Sequence, residues 1–502
     1  MDMVGIDKLG RPQEFWEHFL QISKIPRCSG KEEQIRNYIV SYSNKLKLKH
    51  KIDDAGNLVV ELPSENKKAV RCVLQAHLDM VCEKDDEIEH DFSSDTLSLK
   101  IEEIQGKKWL TAEGTTLGAD NGVGIAYILT LMDKINSEEL KFPNISFQFL
   151  FTVEEETGLV GALNIDKNLI NGKYLINLDS EEADKFVVGC AGGITTMGEI
   201  PLTYKDEDNE KSASTSFILS IKGLKGGHSG TDIHKGRANA IKILSKILWK
   251  INNKYKISIY SLDGGNLSNA IPREAHAKFM SIYNLKDKIE AFCQKIISEI
   301  ELGISKVEPN MQISLREVEL DNNENLISDI ITDKVFHLLY IMPNGPISYH
   351  SKDRDLVYTS TNLASIKTEE DKIIITTSQR SLHEISKRIM CEKIEALFRL
   401  ADLKIDIIHS GNYPGWEPNF QSKILKIAKK TYQNLFNEST EVEVIHAGLE
   451  CGILKHYFPE TEMISIGPAV IGGHSPGERL FMPSVKKIWD FLVQFLNNLK
   501  EN

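Results

Sequence analysis

The chain of 502 residues corresponds to roughly three average domains or two larger ones. Its composition, 41% hydrophobic and 26% charged, is that of an ordinary globular protein. The formal net charge is -12 and no long run of lysine and arginine is present. We therefore expect neither a nucleic-acid nor an anionic-membrane partner, since each requires a clustered basic surface.

The amino-terminal residues show no basic segment followed by an apolar run, as a signal peptide would. Nowhere does the chain approach the roughly 18 apolar residues that span a bilayer. Its seven cysteines are odd in number and form no Cys-x-x-Cys pair, and Cys72 lies in an apolar run, as a buried free thiol would. These features favour a cytoplasmic protein, although an organelle entered without a cleaved peptide fits them as well.

Helical and extended patterns alternate in the first part of the chain. A helical spacing of apolar residues follows the Ser-Gly pair at 29–30. Apolar runs at 70–76, 145–152 and 173–178 predict three buried strands, and a glycine-rich turn at 118–122 opens a helix. Alternating strands and helices predict an α/β fold with a largely parallel sheet covered on both faces.

The first of these strands ends in His77-Leu78-Asp79. Residues at the carboxyl end of such a strand reach the edge of the sheet where open α/β folds bind ligands. The imidazole of His77 can bind a metal while Asp79 accepts the second ring N–H and fixes the tautomer. A structural histidine at a strand end explains the motif equally well, so this motif alone decides nothing.

Two further acidic motifs follow. Glycines flank Asp120 in the turn at 118–122 and expose its carboxylate at a helix start, although an N-cap is the commoner role for such an acid. Glu154, Glu155 and Glu156 follow an apolar strand, where like charges raise one another's pKa unless a cation neutralises them. A solvated acidic turn is the alternative. With a metal bound, one carboxylate remains available as a general base.

The character of the sequence changes near residue 190. The glycines of 191–193 and the polar run 204–216 predict a linker, and the strand and helix patterns beyond it predict an α+β insertion of about 200 residues. The alternation of strand and helix patterns then resumes, with strands predicted at 404–409, 441–446 and 462–467 and helices at 420–436 and 484–499. We therefore predict a catalytic domain made of 1–195 and 401–502, interrupted by an inserted domain at 196–400.

Two more residues of metal-binding type lie at strand or turn boundaries. Asp179 ends the third strand, and His474 follows the last strand in a turn shaped by glycine and proline. Together with His77, Asp120 and one of the three consecutive glutamates, they make five residues of metal-binding type at strand or turn boundaries. Five such placements are harder to explain by chance than one. Oxygen and imidazole ligands without thiolate suit zinc and tolerate manganese or cobalt. The sequence therefore predicts a metal centre.

Rival catalytic signatures are missing from the sequence. His-Glu-x-x-His, which marks the single-zinc helix, does not occur, nor does a Walker phosphate-binding loop. The serine hydrolase motif Gly-x-Ser-x-Gly is also absent, because Gly227-His228-Ser229-Gly230 lacks the second outer glycine.

Eight short motifs occur in the order in which one family of peptidases carries them. They are His-Leu-Asp-Met-Val-Cys-Glu-Lys (77–84), Gly-Ala-Asp-Asn-Gly (118–122), Glu-Glu-Glu-Thr-Gly (154–158), Asn-Leu-Asp-Ser-Glu (177–181), Gly-Gly-His-Ser-Gly (226–230), Asn-Ala-Ile-Pro-Arg-Glu-Ala (269–275), Ala-Gly-Leu-Glu-Cys-Gly (447–452) and Gly-His-Ser-Pro-Gly-Glu (473–478). On these motifs, which span nearly the whole chain, it resembles the aminoacyl-histidine dipeptidases (Xaa-His dipeptidase, peptidase D, cytosol non-specific dipeptidase). That family belongs to the co-catalytic di-zinc metallopeptidases, with tripeptidase T, carnosinases and acylases.

The resemblance implies a zinc-exopeptidase-like catalytic domain that binds two divalent metal ions per subunit, zinc or else manganese or cobalt. It assigns His77 and Asp179 to one ion, Glu156 and His474 to the other, and Asp120 as the bridge between them.

The resemblance also assigns the remaining acids near the metals. Asp79 would orient His77, and Glu155, the middle acid of its run, would be the general base. The family usually has Asp where this chain has Glu154, a departure at a position outside the ligand set.

In the family, the inserted domain is a lid and a dimer contact. The resemblance places His228 on the substrate carbonyl, often from the partner subunit, and makes Asn269 and Arg380 candidates for the substrate's terminal carboxylate, which a guanidinium can grip by both oxygens. A polar residue in a glycine-rich turn is the alternative for His228. Ordinary lid structure is the alternative for Asn269 and Arg380.

The function implied is metal-dependent hydrolysis of dipeptides with unblocked termini, Xaa-His dipeptides among them, by a cytoplasmic homodimer. A tripeptidase, carboxypeptidase or amide deacylase of the same clan is the alternative within this class. A dimeric scaffold without catalysis is the alternative outside it.

Overall fold

The computed structural model describes residues 5–205, 214–281, 285–319, 324–351 and 353–499. Elements of the first part of the chain are α1 (Gln13–Ile22), α2 (Glu33–Lys45), β1 (Lys49–Ile52), β2 (Leu58–Leu62), β3 (Val70–His77), β4 (Leu99–Ile104), β5 (Lys107–Ala112), α3 (Ala119–Asn136), β6 (Ile145–Thr152), α4 (Val160–Leu163), β7 (Tyr174–Asn177) and β8 (Lys185–Cys190).

The middle part of the chain contains β9 (Gly192–Pro201), β10 (Thr215–Lys222), β11 (Gly227–His228), α5 (Ala240–Tyr255), β12 (Ile257–Gly264), β13 (Ala270–Ile271), β14 (Ala275–Ser281), α6 (Lys286–Ile304), β15 (Gln312–Val318), α7 (Asp329–Ile341), β16 (Gly345–Tyr349), β17 (Val357–Thr368), β18 (Lys372–Ser381), α8 (Glu384–Leu400) and β19 (Asp406–Tyr413). The last part contains α9 (Lys423–Phe436), β20 (Glu441–Ile445), α10 (Glu450–Tyr457), β21 (Glu462–Ser465), β22 (Val470–Ile471), β23 (Arg479–Phe481) and α11 (Met482–Asn498).

The chain forms two compact units. The first comprises the chain up to Cys190, the segment Trp416–Val444 and the chain from Leu449 onward; the second comprises Ala191–Gly415 and Ile445–Gly448. The sequence places the corresponding boundaries at 195/196 and 400/401. The return of the segment Ile445–Gly448 to the second unit has no counterpart in the sequence-based domains.

The first unit contains an eight-stranded sheet in the order β1-β2-β6-β3-β7-β21-β8-β20. Its middle strands, β6, β3, β7 and β21, are parallel. β3 is buried along almost its whole length, as its apolar run predicts. The predicted α/β class with a parallel-rich sheet is confirmed.

The second unit contains a nine-stranded sheet with the order β15-β10-β14-β12-β17-β18-β9-β19 and with β16 added on β17. The paired strands are antiparallel. α5 packs its apolar face into a core with Phe217 and Phe279, and Asn239 caps it by accepting hydrogen bonds from two backbone N–H groups. The predicted α+β insertion is confirmed.

Two predictions about the middle of the chain were wrong. The glycines at 191–193 were predicted as linker, but Gly192 and Gly193 lie in β9, where Tyr413 packs so closely that a Cβ on either would clash with it. The strand predicted at 404–409 was placed with the catalytic α/β part, but β19 pairs with β9 in the second unit's sheet. An apolar pattern does not reveal which sheet a strand joins. Residues 206–213 of the predicted linker lie outside the described residues.

Cys28 and Cys82 form a disulfide with their Cα atoms 5.7 Å apart. The other five cysteines are buried free thiols, Cys72 among them as its apolar run predicts. Nothing in the sequence signals the Cys28–Cys82 pair, because the two residues lie 54 positions apart. Within the described ranges, no helix is both long and apolar enough to cross a membrane.

Candidate metal centre

The ends of the central strands bring most of the predicted ligands of the first unit together. β3 pairs in parallel with β6 and with β7, so His77 lies opposite Thr152 and the chain beyond each strand leaves the sheet at the same edge. The acidic run after β6 and Asp179 after β7 therefore reach the same place as His77.

His77 is almost completely buried and faces carboxylates with both ring nitrogens. Its Nε2 lies 2.8 Å from Oδ1 of Asp120 and 3.3 Å from Oδ1 of Asp179. Its Nδ1 lies 3.3 Å from Oδ1 of Asp79. Asp79 in turn accepts hydrogen bonds from the Ser29 hydroxyl, at 2.8 Å, and from two backbone N–H groups of the acidic run. Burial opposes the ionisation of Asp79, but these partners hold its pKa at about 2.

His474 completes the cluster from the turn between β22 and β23. Its Nε2 lies 3.1 Å from Oδ2 of Asp120 and 3.0 Å from Oε2 of Glu156. The two oxygens of Asp120 therefore face two different imidazoles, His77 through Oδ1 and His474 through Oδ2. A carboxylate in this position can bridge two cations.

The residues of this cluster fit divalent cations. Ligand atoms of His77, Asp120 and Asp179 lie within 4.8 Å of one another, as do those of Asp120, Glu156 and His474. Oε1 of Glu156 is buried without a hydrogen-bond partner among the described residues. Burial, and after it the Asp120 carboxylate, raises the pKa of Asp179 to about 7. Two bound cations would offset the repulsion between the carboxylates of Asp120 and Asp179. They would also give the unpartnered Oε1 of Glu156 a partner.

Glu155 stands beside the cluster without belonging to either of these groups. Its carboxylate and that of Glu156 lie within 4.8 Å of His77, and its backbone N–H donates to Oδ1 of Asp79 at 3.0 Å. Burial raises the pKa of Glu155 well above its usual range, and the carboxylates of Asp179 and Glu156 add to the effect. A carboxylate with a high proton affinity suits a general base.

Two charged residues that the sequence reasoning missed hold the loop that presents Asp120. The carboxylate of Glu478 accepts hydrogen bonds from the backbone N–H groups of four consecutive residues, 117–120, at 2.7 to 3.2 Å. Arg27, which is buried, donates to the carbonyl oxygen of Asp79 at 2.7 Å and to that of Gly118. Glu478 belongs to the motif that contains His474, which is a signal, whereas nothing in the sequence marks Arg27.

A third missed residue lies within the same unit. Glu450 is completely buried and accepts hydrogen bonds from Gln75 at 2.5 Å and from Thr152 at 2.7 Å. Burial, above all other effects, raises its pKa to about 8, so it holds a proton at neutral pH. The Ala-Gly-Leu-Glu-Cys-Gly motif contains it, but that motif did not suggest a buried acid.

The second unit contains the other predicted site residues. Nδ1 of His228 accepts from the backbone N–H groups of Gly230 and Thr231, at 3.3 and 3.1 Å, so its hydrogen lies on Nε2. That Nε2 is 3.5 Å from an Nη of Arg380, so two donors stand side by side. Asn269 is exposed, and its backbone carbonyl oxygen accepts from Ser229 at 2.7 Å. The structure thus brings His228 and Arg380 together, whereas the Asn269 side chain makes no hydrogen bond with any described residue.

His446, which the sequence reasoning also missed, lies in the same unit. It is buried, its Nε2 is 2.7 Å from the Ser360 hydroxyl, and its Nδ1 has no hydrogen-bond partner among the described residues. Burial, and after it the charge of the Arg380 guanidinium, lowers the pKa of His446 to about 3. A neutral imidazole and the Arg380 guanidinium, whose Nε is likewise buried without a partner, supply polar groups for a ligand.

Two family models match parts of the chain. Residues 219–303 match the model described as "Peptidase dimerisation domain", and residues 57–243 match the model described as "Peptidase family M28". The first match lies in the second unit, and the second includes four of the five predicted ligands.

Known proteins resemble the chain over its full length. It is 35% identical to the cytosol non-specific dipeptidase of Escherichia coli (strain K12), over 97% of this chain and 98% of that relative. The crystal structure of aminoacylhistidine dipeptidase from Vibrio alginolyticus is 33% identical and superposes with a TM-score of 0.85, over 99% of both chains. A tripeptidase from Staphylococcus aureus, 16% identical over 99% of both chains with a TM-score of 0.56, shares the fold.

Proposed function

The chain belongs to the family of the cytosol non-specific, or aminoacylhistidine, dipeptidases, and on this premise we propose that it hydrolyses dipeptides with free amino and carboxyl termini, Xaa-His dipeptides among them. It is a metallo-dipeptidase. The single observation that carries the proposal is the position of Asp120, whose two oxygens face the imidazoles of His77 and His474.

The proposed centre binds two divalent cations. His77 and Asp179 would hold one, Glu156 and His474 would hold the other, and Asp120 would be shared between them. The support is that each imidazole Nε2 lies 2.8 to 3.3 Å from the oxygens of its partners. Imidazole and carboxylate ligands without thiolate favour zinc, with manganese or cobalt as substitutes.

Two such cations supply Lewis-acid polarisation of the peptide carbonyl and lower the pKa of water, so that a nucleophile is available near neutral pH. The chain's own part is the movement of protons. Glu155 accepts a proton from the attacking water and returns it to the leaving amine. Asp79 holds Nδ1 of His77, which fixes the tautomer whose Nε2 lone pair is available for a ligand bond.

We propose roles for three residues of the second unit. His228 donates from Nε2 to the substrate's carbonyl oxygen as negative charge develops there, and Arg380 and Asn269 hold the terminal carboxylate. The support is that His228 and Arg380 present two donors side by side, which suits an anionic ligand. For Asn269 the support is its place in the shared motif alone.

We propose further that the protein is a cytoplasmic homodimer assembled through its second unit. The match of residues 219–303 to the peptidase dimerisation domain supports the dimer, and the cytosolic name of the Escherichia coli relative supports the location. No nucleic-acid partner is proposed, because the formal net charge is -12.

The alternatives are less well supported. The tripeptidase is only 16% identical to this chain, whereas the dipeptidases at 33% and 35% match it over its full length. A scaffold without catalysis would have no use for five clustered ligand-type residues with an acid such as Glu155 beside them.

The test is hydrolysis of a substrate panel by protein loaded with zinc, manganese or cobalt. We expect cleavage of free dipeptides, including Xaa-His, in preference to tripeptides and N-acyl amino acids. We expect Glu155→Ala to lose turnover while its metal content, measured by mass spectrometry, stays near that of the wild type. Loss of metal in that variant would mean that the base and the ligand are reversed. A panel left intact by metal-loaded protein would end the dipeptidase proposal.

A further inference from the structure

One acidic residue beside the metal centre has no role in the mechanism described above. Glu181 follows the proposed ligand Asp179 by two positions, beyond the end of β7. Its backbone carbonyl oxygen accepts from the N–H of Val470 at 3.0 Å, which fixes the main chain. A Cβ on Gly473 would lie 2.7 Å from Oε1 of Glu181, so this carboxylate rests against the turn just before His474.

The carboxylate of Glu181 has no partner of its own in the parts of the chain that the structure describes. No lysine, arginine or histidine forms an ion pair with it and no donor reaches it, although the side chain is exposed. The adjacent Glu182 differs, because its carboxylate lies 2.7 Å from Nζ of Lys185. Glu181 is therefore a carboxyl group without a cationic partner, among the described residues, at the edge of the centre.

The acidic side chains around Glu181 already have partners. Asp120 and Asp179 face His77 within the proposed ligand set. Glu478 accepts four backbone N–H groups, which use both of its oxygens. Among these neighbours, Glu181 is thus the one acid that can take a cationic group of the substrate without giving up an interaction.

A dipeptide with a free amino terminus carries such a group close to its scissile bond. The α-ammonium lies one Cα atom away from the carbonyl carbon that is attacked. An ammonium removed from water needs an anionic partner, and a charge-assisted hydrogen bond to a carboxylate is the strongest that a side chain offers.

We propose that Glu181 binds the α-ammonium of the substrate and so makes the enzyme select peptides with a free amino terminus. The inference rests on the proposed dipeptidase function and assigns it a determinant of amino-end specificity. An N-acylated substrate would lose this hydrogen bond and leave Glu181 facing a neutral amide, which disfavours deacylase activity at the same centre.

The experiment compares Glu181→Gln with the matched control Glu182→Gln on two ligands that differ only in the amine, alanyl-histidine and propionyl-histidine. We expect Glu181→Gln to raise KM for alanyl-histidine and to lower kcat/KM by about tenfold to a hundredfold, the loss of one charge-assisted hydrogen bond. Binding of propionyl-histidine, measured as its inhibition constant against a chromogenic dipeptide, should change less than threefold, and metal content should stay unchanged. Glu182→Gln should behave as the wild type on both ligands.

Two outcomes would overturn the assignment. One is that Glu181→Gln leaves the constants for both ligands unchanged, and the other is an equal loss on both. Neither outcome would contradict the proposed dipeptidase function, which is contradicted only if wild-type protein leaves alanyl-histidine intact. Glu181→Asp, which keeps the charge on a shorter side chain, should recover part of the discrimination and separates lost charge from lost packing.

Discussion

His446 shows how strongly burial alters the chemistry of a single residue in this protein. The residue is 6% exposed, and the Arg380 guanidinium is among its surroundings. Protonation of His446 would place a second charge beside a guanidinium in a medium that solvates it poorly. The folded protein therefore keeps this imidazole neutral far below the pH at which a free histidine takes up a proton.

The low pKa of His446 predicts a loss of stability in acid. Its pKa is about 3 in the folded chain, against 6.5 for a free histidine side chain, so between these pH values the unfolded chain binds a proton that the folded chain does not. Stability is therefore unaffected by this group above pH 6.5 and falls as the pH drops below it. At pH 5 the loss is about 2 kcal/mol relative to pH 7.

The measurement is the free energy of unfolding of wild type and His446→Gln at pH 7 and pH 5, from urea titrations. We expect the wild type to lose about 2 kcal/mol more than the variant between the two pH values, since glutamine does not titrate. Equal losses in the two proteins would contradict the prediction.

For individual residues, the sequence indicated those that follow a predicted strand or turn. It did not indicate those that hold other residues in place. His77, Asp120 and Asp179 could be predicted because each follows a recognisable apolar run or glycine turn. Arg27 and Glu450 could not, because their partners are backbone carbonyls and buried side chains that are close only after folding.

At the scale of elements, the loop before α3 is held from both sides. Glu478, from the turn that also carries His474, accepts four N–H groups of the loop, while Arg27 donates to its carbonyl oxygen at Gly118. The loop has no side-chain cap at the start of α3, so Glu478 supplies the acceptors that a cap would offer. The position of Asp120 thus depends on a residue 358 positions away.

Glu478→Gln is therefore expected to weaken metal binding. A glutamine has one acceptor oxygen, and its amide N–H groups would face backbone N–H groups, so the loop would shift and carry Asp120 with it. We expect the affinity for zinc to fall about tenfold to a hundredfold, as is usual when a residue that supports a metal ligand is changed. Competition with a chromogenic chelator measures it.

The matched control is Glu102→Gln. Glu102 pairs with Arg479, the residue after Glu478, at 2.8 Å, but makes no hydrogen bond with the loop. The Glu102→Gln variant should keep wild-type affinity for zinc. Equal affinities in the two variants would show that the loop holds Asp120 without Glu478.

Most elements could be predicted from periodicity, and their partners could not. The strand at 145–152 has the predicted bounds, and the helix predicted at 484–499 begins two residues earlier, at Met482. β19 was assigned to the wrong sheet, because an extended pattern defines a strand and its burial but not its neighbour.

At the scale of the molecule, the second unit offers a surface through which two copies of the chain could assemble. Its nine-stranded sheet ends in β15, whose outer edge pairs with no other described strand. Residues 219–303, which match the peptidase dimerisation domain, include the second half of β10 together with β12, β14 and most of α6. An open edge of this kind is a surface that proteins usually cover.

We therefore expect a dimer in solution. With a chain mass of 56.6 kDa, sedimentation equilibrium should give about twice that value at micromolar concentration. Deletion of the second unit is not a suitable control, because the chain crosses between the units at several places; dilution of the intact protein is. A monomer mass at every concentration would contradict the dimer.

The strand order of the first unit has a consequence for how the protein is made on the ribosome. β21 lies between β7 and β8, although it is synthesised long after both. At about 5 to 20 residues per second, the nascent chain waits roughly 15 to 60 seconds with that gap in the sheet open. Most of the second unit emerges meanwhile and can fold first. Until β21 and then His474 emerge, the half-built sheet exposes unpaired strand edges, which makes the growing chain a natural client for chaperones.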